Sequence, residues 1–558
     1  MKQYRSYLKY VAPVSAAAVV CVAIGSAVLL SHPAEKTVST SRVPVTVAPT
    51  ESKSEQAAQI PPQLLPDNSG IARIYDAFGN QPIWQGRQAK ARLKSLGEAA
   101  DIADAHGMDT QKLRDAMNAV NADPRTDVAL TQEVADLFKD MRVGVVDFND
   151  TADYWKIPAE QYDPTADVTS AIREYHLAQA LKPLAPTHPI YGELLKSLVT
   201  YRKLAQAGGW KAIPAADTEV RLDKPDERLP LVKERLKAEG YEIGNDDAFK
   251  ASIAAFQEKN GLTPDGRLGK STLAAMNVSA DTRVDQIAVN LERWRHLPRD
   301  FKSDYVMANT ADGAVTVVRD GTPKMRLRAI TGDRKHETPV LMSRITAVTF
   351  NPTWEIPISI AGKEILPKLK KDPTYLQSQN MVVVNGTDAD PHGLYMNWER
   401  FDSKSLPYRL RQKAGANNSL GLVKFEMSNP YNIYIHDTPS RKLFVKDDRH
   451  LSHGCVRVEN PRQLAEELLA PTGKWDAEKI EAAIADGQTQ RAMLKSWLPV
   501  YVMYWTAYVD DGKIQFRDDA YRRDAVIAQA LHEGSDKARP AVVQASRALR
   551  EDEKTYSP

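Results

Sequence analysis

The chain has 558 residues, which exceeds the size at which one hydrophobic core stops growing, roughly 250 to 300 residues, so several domains are expected. Lysine and arginine together number 74, against 72 aspartate and glutamate residues. This near balance lacks the basic excess that is typical of nucleic-acid-binding proteins, and a nucleic-acid partner is not expected.

The first 34 residues predict a membrane anchor. Lys2, Arg5 and Lys9 precede an uncharged stretch, 11–31, that is long enough to cross a bilayer as a helix. The positive charges predict a cytoplasmic N-terminus and place the rest of the chain across the membrane. A cleaved signal peptide is the alternative, although the apolar region of such a peptide is normally shorter.

Two segments follow the predicted anchor. Residues 35–69 are rich in Ser, Thr, Pro, Val and Gln without apolar periodicity, and they predict a flexible tether. Residues 70–227 predict a helical scaffold domain, because apolar residues recur there at helical spacing. Two such series are Leu130, Val134, Leu137 and Met141, and Leu194, Leu198, Tyr201 and Leu204.

Residues 228–280 predict a compact three-helix module. Val232 and Leu236 share one helix face, and Ile253 with Phe256 marks a second helix. The loop after it reads Asn260-Gly261-Leu262-Thr263-Pro264-Asp265-Gly266. This segment resembles the peptidoglycan-binding module of many cell-wall enzymes. The resemblance implies that it binds the wall; bracing a neighbouring domain is the alternative. A connecting helix is expected over 281–300.

From residue 301 to residue 530 the pattern changes to the alternation and short apolar runs of β-strands. Predicted strands over 500–509 and 514–516 flank Asp510-Asp511-Gly512, a hairpin turn signal. Residues 361–420 are again polar and helical in pattern, which predicts a helical lid insertion. Residues 531–558 form a C-terminal tail. The fold class expected from all these segments is multidomain α+β.

Cys455 is the candidate nucleophile. The other cysteine, Cys21, lies in the predicted membrane segment, so Cys455 has no partner for an intramolecular disulfide. An unpaired thiol in an oxidising compartment indicates a reactive group, and an inert buried cysteine is the alternative. A free thiol has a pKa of about 8.5, so it needs a base to become a nucleophile at neutral pH.

His436 is the candidate base. Alternation places Ile433 and Ile435 on one face of a strand, and Tyr434 and His436 on the other. Cys455 follows His436 by 19 residues, a separation that a loop and a hairpin can close.

The run Ser452-His453-Gly454-Cys455 supplies further candidates. Backbone N–H groups at Gly454 and Cys455 are expected to face a developing oxyanion. His453 either lines that pocket or fixes the loop. Tyr434 is grouped with His453 and Gly454 as a supporting residue.

These residues carry a family resemblance. His436 and the run Ser452-His453-Gly454-Cys455-Val456-Arg457-Val458-Glu459-Asn460-Pro461 resemble the signature of the YkuD-type L,D-transpeptidases. Further matches to their large, membrane-anchored YcbB-type branch are Asn290-Leu291-Glu292-Arg293, Asn351-Pro352-Thr353-Trp354, Leu420-Gly421, Lys424-Phe425 and Asp437-Thr438-Pro439. The sequence departs from the pattern at Glu426-Met427-Ser428, where a second aromatic residue and a proline are expected before Asn429. The resemblance implies a mostly β YkuD-type catalytic domain that carries the lid.

The resemblance also implies a reaction. Cys455 attacks the carbonyl between the third and fourth residues of a tetrapeptide stem, D-alanine leaves, and His436 acts as base and then as acid. The side-chain amine of a diaminopimelate on another stem then resolves the thioester into a 3→3 crosslink. No metal or cofactor is required. The implied partners are peptidoglycan stem peptides and glycan, the bacterial inner membrane from its periplasmic side, and carbapenem-type β-lactams as covalent inhibitors.

Residues that hold the substrate are harder to assign from sequence. Arg457 either binds a substrate carboxylate or pairs with Glu459. Asn429, Tyr395 and Trp398 are candidate substrate contacts, and in the insertion such a role is not separable from ordinary packing.

Three alternatives stay open. Water or the lysine of an envelope protein could replace the diaminopimelate amine as acceptor. His436, His450, His453 and Cys455 could bind zinc. The chain could also be an inactive wall-binding scaffold, against which the intact His436 and Cys455 argue.

Overall fold

The computed structural model describes residues 59–533, except 66, 68, 149–151 and 215–217. The predicted membrane segment, most of the tether and nearly all of the C-terminal tail lie outside these residues. The end of the predicted tether is instead packed on the scaffold, because Ile60 is buried in the scaffold core and Leu64 and Leu65 pack against it. In the part of the chain that is described, no helix combines the length and the apolar character that a membrane crossing requires.

The scaffold region is helical, as predicted. Its helices and the connecting helix after the module are α1 (Gly70–Ala77), α2 (Ala89–Ala105), α3 (Gln111–Ala119), α4 (Pro124–Val143), α5 (Thr165–Arg173), α6 (Leu177–Leu181), α7 (Pro189–Gln206) and α11 (Ala280–Arg295). Helix α4 begins where the Asp123 side chain accepts the N–H of Arg125 and Pro124 occupies the first turn. The apolar series that predicted it is buried: Leu130, Val134, Leu137 and Met141.

The three-helix module consists of α8 (Leu229–Ala238), α9 (Asp246–Lys259) and α10 (Lys270–Met276). It has its own apolar core, to which Val232, Ile253 and Phe256 contribute. The module contacts the strand-rich domain through its loop, where the Thr263 hydroxyl donates to Asp447 over 2.5 Å. Arg517 donates to the carbonyl oxygen at the end of α9 over 3.1 Å. The module is therefore packed against its neighbour.

The strand-rich domain is built on one mixed sheet. Its strands in chain order are β1 (Tyr305–Asn309), β2 (Ala314–Arg319), β3 (Thr322–Gly332), β4 (Leu341–Phe350), β8 (Val423–Met427), β9 (Ile435–His436), β10 (His450–Ser452), β11 (Val456–Val458) and β12 (Gln490–Met503). The spatial order within the described residues is β10-β3-β11-β9-β8-β4-β12-β1-β2, and β2 also pairs with β3. The sheet thus closes on itself. Helices α14 (Pro461–Leu469) and α15 (Ala477–Ala485) pack on its inner apolar core.

The outer surface of this sheet packs on the scaffold. Tyr305 and Met307 of β1 and Tyr501 and Met503 of β12 belong to the same apolar core as the scaffold helices. Alternation along each strand sends the neighbouring residues, such as Val306, into the inner core instead. Trp155 of the scaffold pairs as a β-bridge with Val340, just before β4. Scaffold and sheet therefore share one core.

The predicted hairpin is confirmed, and the strand that leads into it is shorter than predicted. β13 (Ala507–Asp510) pairs with β14 (Lys513–Phe516) across the Asp511-Gly512 turn. The chain continues into the last helix, α16 (Asp524–Glu533). The predicted strand over 500–509 is broken because side-chain amides replace strand partners: Asn309 accepts the N–H of Trp505, and Asn290 accepts that of Thr506.

The insertion is a compact unit with its own core. A helical segment over 358–371 consists of α12a (Ile358–Ile360), a π-helix (Ala361–Ile365) and α12b (Leu366–Lys371), and α13 (Tyr375–Ser378) follows. Unlike the prediction, the insertion also contains strands: β6 (Met381–Val383) and β7 (Leu410–Gln412) form a small sheet with β5 (Trp354–Glu355), which precedes the predicted bounds of the insertion. The fold class, α+β with helices before a mostly β domain, is confirmed.

Candidate active site

The strand register brings the predicted residues together. In β9, His436 is opposite Lys424 on one side and Arg457 on the other. Residues opposite each other in a sheet point to the same face. Ile435, one residue earlier, is buried in the inner core, so the predicted alternation is confirmed. The outer face thus carries a row of Lys424, His436 and Arg457.

Cys455 joins this face from the end of a loop. It precedes β11, and Val456 donates its N–H to the carbonyl oxygen of Tyr434. Cys455 is therefore opposite Tyr434 and diagonal to His436, a separation that side chains can bridge. The thiol is partly buried, and it donates to the Asn432 carbonyl oxygen over 3.5 Å. In this arrangement the sulfur is hydrogen-bonded to the backbone and not to the imidazole of His436.

The buried Ser452 hydroxyl fixes the loop that carries Cys455. It donates to the Cys455 carbonyl oxygen over 2.6 Å and accepts the Gly454 N–H over 3.1 Å. Gly454 has a φ of 108°, a conformation that favours glycine. Its carbonyl oxygen accepts the hydroxyl of Thr338 over 2.8 Å. Both peptide groups of Gly454 are thus engaged within the fold.

These hydrogen bonds reduce the number of backbone N–H groups that can bind an oxyanion. The Gly454 N–H already donates to Ser452, so it does not face a bound carbonyl in this arrangement. The Cys455 N–H has no acceptor among the described residues. The Cys455 N–H is therefore the one of the two predicted donors that a tetrahedral intermediate can use.

Tyr434 contacts the sulfur directly. Burial raises the pKa of the Cys455 thiol, while hydrogen bonds from the Tyr434 backbone and side chain and the charges of Arg457 and Lys424 act in the opposite direction. The Lys424 ammonium lies 4.4 Å from the centre of the Tyr434 ring. Burial outweighs the opposing contributions, so the thiol is protonated at neutral pH.

His436 is neutral in the same surroundings. Its side chain is only 3% exposed, and burial, together with the Arg457 charge, lowers its pKa to about 3. Its Nδ1 atom is buried without a hydrogen-bond partner in the described structure. A neutral imidazole with an unused ring nitrogen is able to accept a proton.

Arg457 lies on the same face as His436, and its role in substrate binding stays a prediction. Among the described residues it makes no ion pair with Glu459, whose N–H instead continues the strand pairing to Arg328. The Nε atom of Arg457 is buried without a partner. The guanidinium of Arg457 is thus opposite His436, and its Nε atom has no hydrogen-bond partner among the described residues.

His453 contacts the insertion. Its Nε2 atom lies 2.7 Å from a carboxylate oxygen of Glu364, which belongs to the π-helix. Its ring also packs on that of His336, with centroids 4.7 Å apart. His453 therefore joins the loop that carries Cys455 to the insertion. Sequence reasoning missed Glu364, because no local pattern distinguishes it from other exposed acidic residues.

The remaining predicted contacts divide into packing and surface residues. The Asn429 amide holds its own loop, donating to Ile433 O over 2.7 Å and accepting from the N–H groups of Tyr431 and Ile433. Trp398 is buried in the core of the insertion, where its indole N–H donates to Gly393 over 2.9 Å. Tyr395 is 88% exposed. Packing thus accounts for Trp398, and substrate contacts by Asn429 and Tyr395 stay predictions.

The four residues of the zinc alternative are not gathered at one point. His450 is directed elsewhere, with Nδ1 2.7 Å from Asp448 and Nε2 3.1 Å from the Thr310 carbonyl oxygen. In the described ranges no group of three or more His, Cys, Asp or Glu side chains has a metal-binding arrangement.

Three segments of the chain match family models. Residues 303–489 match the YkuD family, described as "L,D-transpeptidase catalytic domain". The chain carries an L,D-transpeptidase catalytic domain. Residues 69–198 match a "Scaffold domain", and residues 226–276 match a "Putative peptidoglycan binding domain".

One curated protein is similar to part of this chain. A Haemophilus influenzae protein named "Putative L,D-transpeptidase" is 37% identical over 252 residues, which cover 45% of this chain and 50% of that protein. The match thus spans about half the length of that relative.

L,D-transpeptidase crystal structures from Xylanimonas cellulosilytica and Stackebrandtia nassauensis each align with 52% of this chain. The identities are 17% and 13%, the shares of the solved chains are 99% and 96%, and the TM-scores are 0.18 and 0.21.

Proposed function

We propose that this chain is a peptidoglycan L,D-transpeptidase in which Cys455 is the nucleophile and His436 the base. One observation carries the proposal: the thiol and a neutral, buried imidazole occupy one face of adjacent strands inside a catalytic domain of this family. The membrane-anchored YcbB-type branch is part of the proposal and rests on the sequence motifs alone.

The first half of the reaction forms an acyl-enzyme. The thiol rotates from Asn432 towards His436, which takes its proton as sulfur attacks the carbonyl between diaminopimelate and D-alanine of a tetrapeptide stem. A carbon–sulfur bond forms, and the Cys455 N–H binds the oxyanion. The imidazolium then gives its proton to the departing amine, the carbon–nitrogen bond breaks, and D-alanine leaves.

The second half returns the enzyme. The side-chain amine of a diaminopimelate on another stem attacks the thioester, and His436 takes a proton from it. A new amide forms, the carbon–sulfur bond breaks, and the thiol is restored. The product is a 3→3 crosslink, and neither step requires an external energy source because one amide replaces another.

Fixed positive charge beside the thiol suits an anionic donor stem. Arg457 has an unused, buried Nε, and Lys424 lies over Tyr434 on the other side of His436. A carboxylate placed between them gains charge-assisted hydrogen bonds. We assign Arg457 and Lys424 to binding a carboxylate of the donor stem.

The rest of the chain supports a location at the wall. We propose that residues 1–34 anchor the protein in the inner membrane and that its domains work in the periplasm. The module over 228–280 then holds glycan or stem peptides near the catalytic domain, and carbapenems acylate the same thiolate.

The test is incubation of the purified chain with disaccharide-tetrapeptide, followed by mass spectrometry. Dimers that have lost one D-alanine support the proposal, and shortened monomers alone mean that water is the acceptor. Loss of both products in Cys455→Ala, with unchanged circular dichroism, assigns the nucleophile. Absence of any product and of any carbapenem adduct on the wild-type chain contradicts the proposal.

A further inference from the structure

A cavity of about 320 Å³ lies where the scaffold meets the connecting helix α11. The end of α4, a segment near residue 160 and residues 295–300 line it. The volume falls at the lower end of the range for small-ligand sites, roughly 300 to 1,000 Å³. The cavity is separate from the face that carries Cys455, so the proposed reaction does not explain it.

Buried guanidinium groups line this cavity without enough acceptors. Arg299 donates through Nη2 to the carbonyl oxygens of Arg142 and Leu184, while its Nε and Nη1 atoms are covered and unpartnered within the described residues. The side chain of Arg295 is fully buried, and its Nε also lacks a partner. A buried donor without a partner destabilises the fold, so an acceptor in the cavity is favourable.

The charges leave Arg299 without a counterion. Arg142 pairs with Glu160 over 2.5 Å, and Arg295 pairs with Glu292 over 2.8 Å. Arg299 has no carboxylate within ion-pair distance in the part of the chain described. Burial, with the nearby Arg142 charge, lowers its pKa to about 10, and the Glu160 charge opposes this shift without cancelling it. Asp300 lines the cavity but is exposed, and its charge acts on Tyr501.

The rest of the lining is largely apolar. Val143, Pro158, Leu297 and Pro298 lie around the guanidinium groups. Such a lining suits a short carbon skeleton, while the arginines suit a terminal anionic group.

We infer that this cavity binds a small organic anion, with its carboxylate or phosphate group on Arg299 and its apolar part against Val143 and Leu297. Residues 295–300 lead directly from α11 into β1, the first strand of the catalytic domain. A ligand there stabilises the folded chain by mass action and strengthens the joint between scaffold and sheet.

The experiment measures binding to the full-length chain by titration calorimetry and thermal unfolding. The probes are hexanoate and hexyl phosphate, with hexanol and sodium chloride at equal ionic strength as controls. Saturable binding of either anion with a raised midpoint of unfolding, and no response to the controls, is expected. The tighter of the two anions identifies the acidic group. No saturable binding of either anion overturns the inference.

Variants locate the binding. Arg299→Gln is expected to weaken it at least about tenfold, the effect of losing a charge-assisted hydrogen bond. The matched control is Arg125→Gln, which removes an exposed scaffold arginine and leaves binding unchanged. If Arg299→Gln does not fold, Glu160→Gln replaces it: this change frees Arg142 for the ligand and is expected to tighten binding severalfold. Equal affinity in wild type and the tested cavity variant overturns the inference.

Discussion

Cys455 and His436 share one face of the catalytic sheet, yet the thiol donates to the Asn432 carbonyl oxygen and not to the imidazole. Burial raises the pKa of the thiol, and it lowers that of the imidazole to about 3. Both shifts favour the uncharged pair over a thiolate–imidazolium pair. In the proposed reaction, proton transfer would therefore accompany the attack on the substrate and would not precede it.

This resting state predicts how Cys455 reacts with iodoacetamide as pH changes. Its alkylation is expected to be slow at pH 7 and to rise with a midpoint above that of an ordinary cysteine, because only the thiolate reacts. His436→Gln leaves this midpoint nearly unchanged while it abolishes acylation. Mass spectrometry of the Cys455 peptide separates it from Cys21. A midpoint near neutrality that moves upward in His436→Gln would show a preformed ion pair.

Arg457 provides a prediction about substrate binding. Arg457→Gln is expected to lower kcat/KM for the tetrapeptide donor by about 10- to 100-fold, because a charged hydrogen bond contributes roughly 1.5–3 kcal/mol. Glu459→Gln is the matched control, since Glu459 makes no ion pair with Arg457 in the described structure. Steady-state kinetics of D-alanine release measures both. Equal losses of kcat/KM in the two variants would mean that Arg457 supports the structure of the site and does not bind the donor.

Two glycines of the family motifs should differ in their tolerance of alanine. At Gly454, φ is 108° but an added Cβ would lie 3.5 Å from Ile433, so backbone strain of about 1–2 kcal/mol is the main cost. At Gly421, φ is 62° and a Cβ would lie 2.4 Å from Asp437, the residue after His436. Urea unfolding is expected to show a larger loss for Gly421→Ala. The reverse order would contradict this geometry.

The contact between Glu364 and His453 predicts a local effect on the insertion. Both side chains are well exposed, so the pair contributes at most about 1 kcal/mol to global stability. Glu364→Gln should leave the free energy of unfolding almost unchanged but speed hydrogen exchange over residues 358–371. Glu399→Gln, which breaks the pair with Lys370 inside the insertion, serves as control. Unaltered exchange in Glu364→Gln would show that the contact does not hold the insertion.

Local sequence patterns correctly predicted the features that depend on neighbouring residues in the chain. The burial of Leu130 and Val134, the outward face of His436 and the turn at Asp511-Gly512 all follow from side-chain periodicity or turn chemistry. Contacts between distant segments were not predictable in this way. The strand break at Trp505 depends on Asn309, which lies 196 residues earlier.

The candidate site also combines features that local patterns predict with contacts between distant segments. Cys455 and His436 stood out because their motif is specific, while the partner of His453 and the isolation of Arg457 depend on how separate elements pack. The sheet in the insertion was missed for a related reason: β5, β6 and β7 are short, and their pairing partners lie far apart in sequence.

The shared core of scaffold and sheet has a consequence for how the protein can be divided. Tyr501 and Met503 of β12 pack among the scaffold helices, and the Lys156 N–H donates to the Val340 carbonyl oxygen over 2.8 Å across the junction. Cutting the chain at residue 301 would leave Tyr501 and Met503 exposed to water. The catalytic domain expressed alone should therefore aggregate, and the two parts should melt in a single cooperative transition.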